Sequence, residues 1–280
     1  MKKRSDSFWV LLSAICYFSA VVFVIFVAVH LLRLSDGKLS LSFLFTNPDD
    51  GMTKGGVFSP LFGSIYLTLW VLVLSAPVGV LAGVYFAEFA PDNPITRILR
   101  NAIRTLSGVP AIVFGLFGLA FFVRMMNLGL SLLASALTLS IMNLPVIITT
   151  TEEALRLVPN SQKEAAIALG ANSWEVWRDV SVKYASSGIL SGIFLALSRA
   201  LGETAPILLT GVVFYQPTVT LNPMHTFMAM PYHIFILATQ HSKPTEALPI
   251  AAAAGFVLLI LVLLARIFAF LYNRRVQRWL

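Results

Sequence analysis

Charge is scarce in this chain. Only 12% of the 280 residues are Asp, Glu, Lys or Arg, about half the share found in an ordinary soluble domain. Hydrophobic residues make up 58%, and the mean hydropathy is +0.83. So little polar surface cannot cover a water-facing particle, which excludes a soluble enzyme. The same figures exclude a disordered chain and a nucleic-acid-binding protein, despite a net charge of +7. Cysteine is scarcer still. The single Cys16 lies in an apolar run, so an internal disulfide, a CxxC pair and a cysteine metal cage are all excluded. His30, His225, His233 and His241 lack metal-ligand spacing; they are read as residues at the outer membrane edge, and no metal is placed. A GxxxxGK[ST] phosphate loop is also missing, so the chain is not itself an ATPase. No Ser/His/Asp set or paired carboxylates suggest catalysis. The expectation is a non-enzymatic chain that binds no cofactor of its own.

Long apolar runs are what the sequence does have. A helix needs roughly 20 apolar residues to cross the hydrocarbon core. Six segments qualify, at about Trp9–Leu32, Leu61–Ala87, Leu106–Met126, Leu128–Thr150, Ala185–Gly211 and Ala247–Leu271. The first is too long for a signal-peptide core and is read as a retained anchor. Pro77 predicts a kink in the second, and a tight turn at Asn127 and Gly129 separates the third from the fourth. Barrel-type alternation does not run through the chain. The predicted fold is therefore all-α, a polytopic bundle of six transmembrane helices. Residues 1–59 form an anchor span and outer loop, and residues 60–280 the main transmembrane domain. A shorter apolar stretch, Met224–Thr239, is broken at Pro231 and is expected to lie at the outer interface.

Basic residues set the orientation. With the amino terminus inside, thirteen of the 20 Lys and Arg fall on the inner side. They are Lys2, Lys3 and Arg4; Arg97, Arg100 and Arg104; Arg156, Lys163, Arg178 and Lys183; and Arg274, Arg275 and Arg278. Five fall outside: Arg33, Lys38, Lys54, Arg124 and Lys243. Both termini are expected to be cytoplasmic, in a multi-pass membrane protein embedded in the lipid bilayer. Arg124 and Arg266 are read as snorkelling charges, Glu88 as a boundary charge, and Asn143 either faces the pathway or satisfies backbone.

The largest inner loop is Glu152–Tyr184. Ser161 and Glu164 have capping-box spacing, which predicts a short helix over Gln162–Leu169 stopped by Gly170. Ser173 is expected to start a second short helix carrying Trp174, Val176, Trp177 and Val180. Ala165, Ala166 and Ala168 give the first helix a small-residue surface for a close-fitting partner. An ordinary connection is the competing reading. Glu164-Ala165-Ala166, three residues, then Gly170 resembles the EAA loop of ABC importer permeases, the coupling helix that docks on the ATPase subunit. Val180 and Val182 continue that pattern. Lys183 stands where the family has proline.

The fifth span carries Arg199 and Glu203. A charge at a helix centre costs about 2.5–3.5 kcal/mol on insertion scales. Four residues apart, the two share a helical face and pair. Gly188, Ser191, Gly192 and Gly202 supply a small-residue face, and Thr204 adds a hydroxyl. One reading is a structural pair that fixes packing. The other is a face lining the path of a polar solute, since a guanidinium grips an oxyanion with two parallel hydrogen bonds. Arg199 then exchanges between Glu203 when empty and the anion when loaded.

The string Arg199-Ala200-Leu201-Gly202-Glu203-Thr204-Ala205-Pro206 resembles the RAxGETAP segment of phosphate-specific ABC transporter permeases, in the form found in the PstA-type subunit. Ser107-Gly108-Val109-Pro110 with Gly115-Leu116-Phe117, and Pro77-Val78-Gly79 through Tyr85, Ala87 and Glu88, are similar to the same family. The resemblance covers about residues 60–280. It implies a type I importer permease in the bacterial cytoplasmic membrane. It further implies a heterodimer with a PstC-type permease, two cytoplasmic ATPase subunits holding ATP and Mg, and an extracytoplasmic phosphate-binding protein that delivers inorganic phosphate. Arg199 and Glu203, with Thr204 beside them, fall on its substrate pathway, and Glu164, Ala165, Ala166 and Gly170 on its ATPase contact. Three alternatives stand beside this one: a permease for sulfate or molybdate, a self-sufficient anion channel or secondary transporter, and a membrane scaffold in phosphate signalling.

Overall fold

The computed structural model describes residues 2–277; Arg278 of the carboxy-terminal basic cluster lies outside them. The first helix, α1 (Lys2–Leu34), opens on a charged segment, is apolar all round from Trp9 to Leu32, and has no buried residue from Trp9 to Leu34. It packs along the last helix, α12 (Pro244–Gln277). A helix this apolar with so little protein contact suits a lipid surround. Residues 35–57 form a compact loop. It holds the short α2 (Leu41–Phe45) and a two-stranded ladder of β1 (Pro48–Asp49) and β2 (Lys54–Gly55). Phe43, Met52 and Val57 tuck this loop against Met228, Met230, Ile236 and Ile250.

α3 (Phe58–Val84) runs on as a π-helical turn over Tyr85–Phe89. The expected third span is corrected. Leu106 instead closes a separate helix, α4 (Pro94–Leu106), and the chain bends by 101° before α5 (Ala111–Gly118), which continues as π-helix through Met125. Asn93 starts α4, its Oδ1 accepting from the Thr96 amide at 2.8 Å, with Pro94 in the first turn. Pro110 imposes the bend because it lacks an amide hydrogen and turns Val109 away from helical geometry. Among the described residues there are thus five long apolar helices, and a sixth span if the bent pair counts as one.

α6 (Leu132–Arg156) begins four residues later than predicted and ends six later. Asn127 and Gly129 adopt positive φ, and Ser131 is the cap. The first four amides of a helix lack internal partners. Here the amides of Ser131, Leu132 and Leu133 reach the carbonyls of Thr210, His225 and Pro223, at 3.0, 2.9 and 2.8 Å. The Ala134 amide reaches Ser131 Oγ at 3.2 Å. The returning segment 210–228 is thereby fastened over the start of α6. Ser131→Ala is expected to cost about 1 kcal/mol, seen as a lower melting temperature of the detergent-purified protein with unchanged helical content.

Beyond α6 the chain makes α7 (Asn160–Ala168), a three-residue α8 (Ser173–Glu175) and a π-helical stretch, Val176–Ser181, that leads straight into α9 (Val182–Gly202). Two expectations change. The Ser161–Glu164 capping box does not form, because the helix starts at Asn160 behind Pro159. The box that does form joins Asn172 and Glu175. The second short helix is also not separate. Ser173–Gly202 is one continuous span, and the connection between α6 and that span shrinks to residues 157–172. After α9 comes α10 (Ala205–Leu208), then α11 (Met230–Thr239). Pro231 opens α11 rather than breaking it. α11 is packed into the bundle against α12, not laid on its surface. His233 is 2% exposed, so it is a core residue, not an interfacial one.

α3, α6 and α9 form the centre, with α12 against α9. The approach of α9 to α6 depends on Gly188 and Gly192. A Cβ at Gly188 would lie 2.6 Å from the Ala154 Cβ, and one at Gly192 1.9 Å from Thr150 Oγ1. Gly202, assigned to the same face, has nothing within 4 Å and takes no part in that packing.

Candidate functional site

Arg199 and Glu203 meet as their spacing predicts, Arg199 Nε donating to Glu203 Oε1 at 3.0 Å. The backbone beneath them is not the one expected. α9 stops at Gly202, and Glu203 is its C-cap with extended backbone (φ −78°, ψ 129°). The pair therefore sits at a break in the span, where α9 gives way to α10. A cation in the last turn also faces the negative end of the helix dipole, which favours Arg199 there. The Arg199 side chain is 37% exposed and that of Glu203 19%. Because Nε makes this bond, the two Nη amines lie outside it.

Neighbouring elements define the surroundings. Glu203 lines a crevice with Ser64 and Leu67 of α3, Ala200 and Leu201 of α9, Ile207 of α10, and Ala229 and Pro231. Ser64 Oγ accepts from the Met230 amide at 2.8 Å, which joins α3 to the start of α11 on that wall. α5 closes in on α10 because Gly115 lacks a side chain; a Cβ there would lie 3.1 Å from Pro206 Cα. Thr204 is half-buried beside the pair. Its carbonyl accepts from the Leu208 amide at 3.1 Å, while its hydroxyl does not cap α10. Asn143 faces no hydrogen-bond partner: it is fully buried, and neither side-chain polar atom is paired. Arg124 and Arg266 are exposed.

The second predicted site is at the far end of α9. α7 has no buried residue, and Glu164, Ala165, Ile167 and Ala168 are exposed along it. Leu169, just past its end, is 90% exposed. Gly170 ends the helix at φ +91°, a conformation that suits glycine. The amides of Gly170 and Ala171 return to the carbonyls of Ile167 and Ala166, at 2.9 and 3.1 Å, which closes the Schellman pattern. The helix, its glycine stop and its exposed small-residue surface agree with the sequence. What the sequence did not disclose is the partner of Lys163, which bonds both carboxylate oxygens of Glu88, at 2.7 and 2.9 Å. Seventy-five residues separate the two, and no local pattern signals such a pair.

The chain is a bundle of apolar helices with a charged break in one span and an exposed helical loop at the opposite end of that span, and its relatives say what class of protein that is. The family model for the binding-protein-dependent transport system inner membrane component matches residues 79–278. The chain belongs to that family. It is 35% identical over 237 residues to the probable ABC transporter permease protein YqgI of Bacillus subtilis, covering 81% of this chain and 80% of that one. It is 32% identical to the phosphate transport system permease protein PstA of Pasteurella multocida, over 95% of both chains. Among solved structures, a bacterial ABC transporter involved in import of the acidic polysaccharide alginate superposes with a TM-score of 0.62 at 17% identity, over 95% of both chains. That likeness shows the fold alone; together with the family match it is the fold of type I ABC importer permeases.

Proposed function

We propose that this chain is the transmembrane permease subunit of an ATP-driven importer of inorganic phosphate. The observation that carries the substrate is the alignment, over 95% of both chains, with a phosphate transport permease. The geometry supplies a compatible chemistry. Arg199, with its Nη amines outside the bond to Glu203, presents a fork matched to a tetrahedral oxyanion. Glu203 holds the guanidinium when the path is empty and yields it when phosphate arrives, and it accepts a hydrogen bond from protonated phosphate, which sulfate cannot donate. Thr204 adds a hydroxyl next to the pair.

The remaining parts of the importer lie in other chains. The surface of α7, with Glu164 and Ala165 exposed, Ala166 half-buried beside them and Gly170 at its end, docks one of two cytoplasmic ATPase subunits that hold ATP and Mg. A PstC-type permease completes the pathway, and an extracytoplasmic binding protein delivers phosphate. Hydrolysis belongs to the ATPase, so this chain is non-catalytic. Both termini and α7 lie on the cytoplasmic side, as the distribution of Lys and Arg favours.

The test is uptake of radiolabelled phosphate in cells lacking this chain, with and without its restoration. Restoration by the wild-type chain, unaffected by excess sulfate or molybdate, is the expected result. Competition by either oxyanion at equal concentration reassigns the substrate. Uptake that persists without the ATPase favours a self-sufficient channel instead.

A further inference from the structure

Ion pairs in this protein fall into two kinds. Among the described residues most join residues no more than five apart; of these Lys54–Asp50, Arg178–Asp179 and Lys243–Glu246 are largely exposed, while Arg156–Glu152 and Arg199–Glu203 are partly buried. Among the described residues two pairs join distant parts of the chain: Lys163–Glu88 at 2.7 Å and Arg100–Glu152 at 2.9 Å. Both are substantially buried, with side-chain exposures of 22% and 16% for the first and 19% and 6% for the second. They also converge. Arg100 Nη2 donates to the Phe86 carbonyl at 2.5 Å, and its guanidinium lies over the Phe86 ring. Phe86 and Glu88 belong to the same π-helical turn, Tyr85–Phe89, at the end of α3. Glu152 in turn binds Arg156 at 2.8 Å, so the second pair is anchored in α6.

The first pair matters because α7 has little else to hold it. It buries no residue of its own, and it is joined to α6 and to α8 by short connections. Apart from packing on the π-helical stretch at Val176–Ser181, its firm attachment is Lys163 on Glu88. α3 then runs from Glu88 to Ser64 and Leu67, which line the crevice beside Glu203. The pair thus ties α7 to the π-helical turn that continues α3, with Pro77 lying within α3 between that turn and the crevice.

We infer that Lys163 and Glu88 are positioning residues that strap the α7 loop to α3 and transmit ATPase motion to the Arg199–Glu203 pathway, with Arg100 holding the same π-helical turn against α6. The inference rests on the reading of α7 as the ATPase-docking helix. An ion pair that only stabilised the fold would change protein yield and melting temperature. A strap changes how much phosphate moves per ATP.

The experiment uses the complete importer, with its ATPase, partner permease and binding protein, reconstituted in proteoliposomes. Inorganic phosphate uptake and ATP hydrolysis are measured together. Glu88→Lys and Lys163→Glu each bring like charges together and are expected to lower phosphate moved per ATP about tenfold, within the usual range of a coupling free energy, while the ATPase remains bound. The double variant re-forms the pair with its charges exchanged and is expected to recover the ratio to within about twofold of wild type. Glu88→Gln, which removes the charge without repulsion, lowers the ratio in the same direction. An unchanged ratio in Glu88→Gln, or a double variant no better than either single one, overturns the strap. Ala166→Arg separates this from the docking reading. It is expected to release the ATPase during purification. Retention of the ATPase with normal uptake removes the docking helix, and the strap with it. Release of the ATPase alongside an unchanged ratio in Glu88→Gln removes the strap alone.

Discussion

Arg199→Lys is expected to abolish most phosphate uptake although it preserves the charge. The lysine ammonium is a compact point charge, and it lacks the planar fork with which a guanidinium holds two oxygens. Losing one charge-assisted hydrogen bond to the transported anion costs about 1.5–3 kcal/mol, or roughly 10- to 160-fold in rate if the bond is made at the barrier. Arg199→Gln is expected to be at least as severe. Glu203→Gln acts in the other direction on binding. Arg199 bonds Glu203 at 3.0 Å, so weakening that competitor leaves the anion more tightly held. The expected kinetics are a lower KM with a lower maximal uptake, because release slows. The measurement is the concentration dependence of radiolabelled phosphate uptake, with membrane levels matched by blot. Wild-type kinetics in Arg199→Lys would return the pair to a packing role, and a raised KM in Glu203→Gln would overturn the exchange between carboxylate and anion.

That prediction was accessible from the sequence because residues four apart can pair, yet the geometry arises differently. The i,i+4 rule assumes a helix through both residues, whereas α9 ends at Gly202 and Glu203 caps it in an extended conformation. The bond survives because long side chains bridge the one-residue discrepancy. The glycine stop at Gly170 was legible for a firmer reason: a positive φ of +91° demands a residue without Cβ, and the motif places it there. The bend between α4 and α5 was not legible. Hydropathy averaged over a span-length window merges Leu106 with Met126, and a single Pro110 inside an apolar run is compatible with a kink or with a full break. The three π-helical stretches and the Lys163–Glu88 pair were equally hidden. A widened turn leaves no periodic signature, and a contact across 75 residues depends on where α4, α6 and α7 bring the chain back. What the sequence shows is local chemistry; which charges meet across the bundle is decided by packing.

Packing also produces the second large effect. Gly192→Val is expected to prevent the chain from accumulating in the membrane as a folded subunit. A Cβ at this position would lie 1.9 Å from Thr150 Oγ1 and 2.7 Å from Thr150 Cβ, distances at which α9 must move away from α6. Overpacking of a well-filled interior costs about 1–3 kcal/mol, and here two span-length helices have to separate along their contact. That contact carries Arg199 on one side and, through α6, Glu152 and Arg156 on the other, so separation disturbs both ends of the machinery. Gly192→Ala tests the same contact with less volume and is expected to lower the melting temperature of the purified importer without eliminating it. Thr150→Ala in that background removes the nearest atom, Oγ1, but leaves the Cβ in place, so rescue is expected to be partial. Melting temperatures of the four proteins (wild type, each single alanine variant and the pair) check this as a double-mutant cycle. Additive losses would mean that the two residues do not meet and that α9 crosses α6 at a different register.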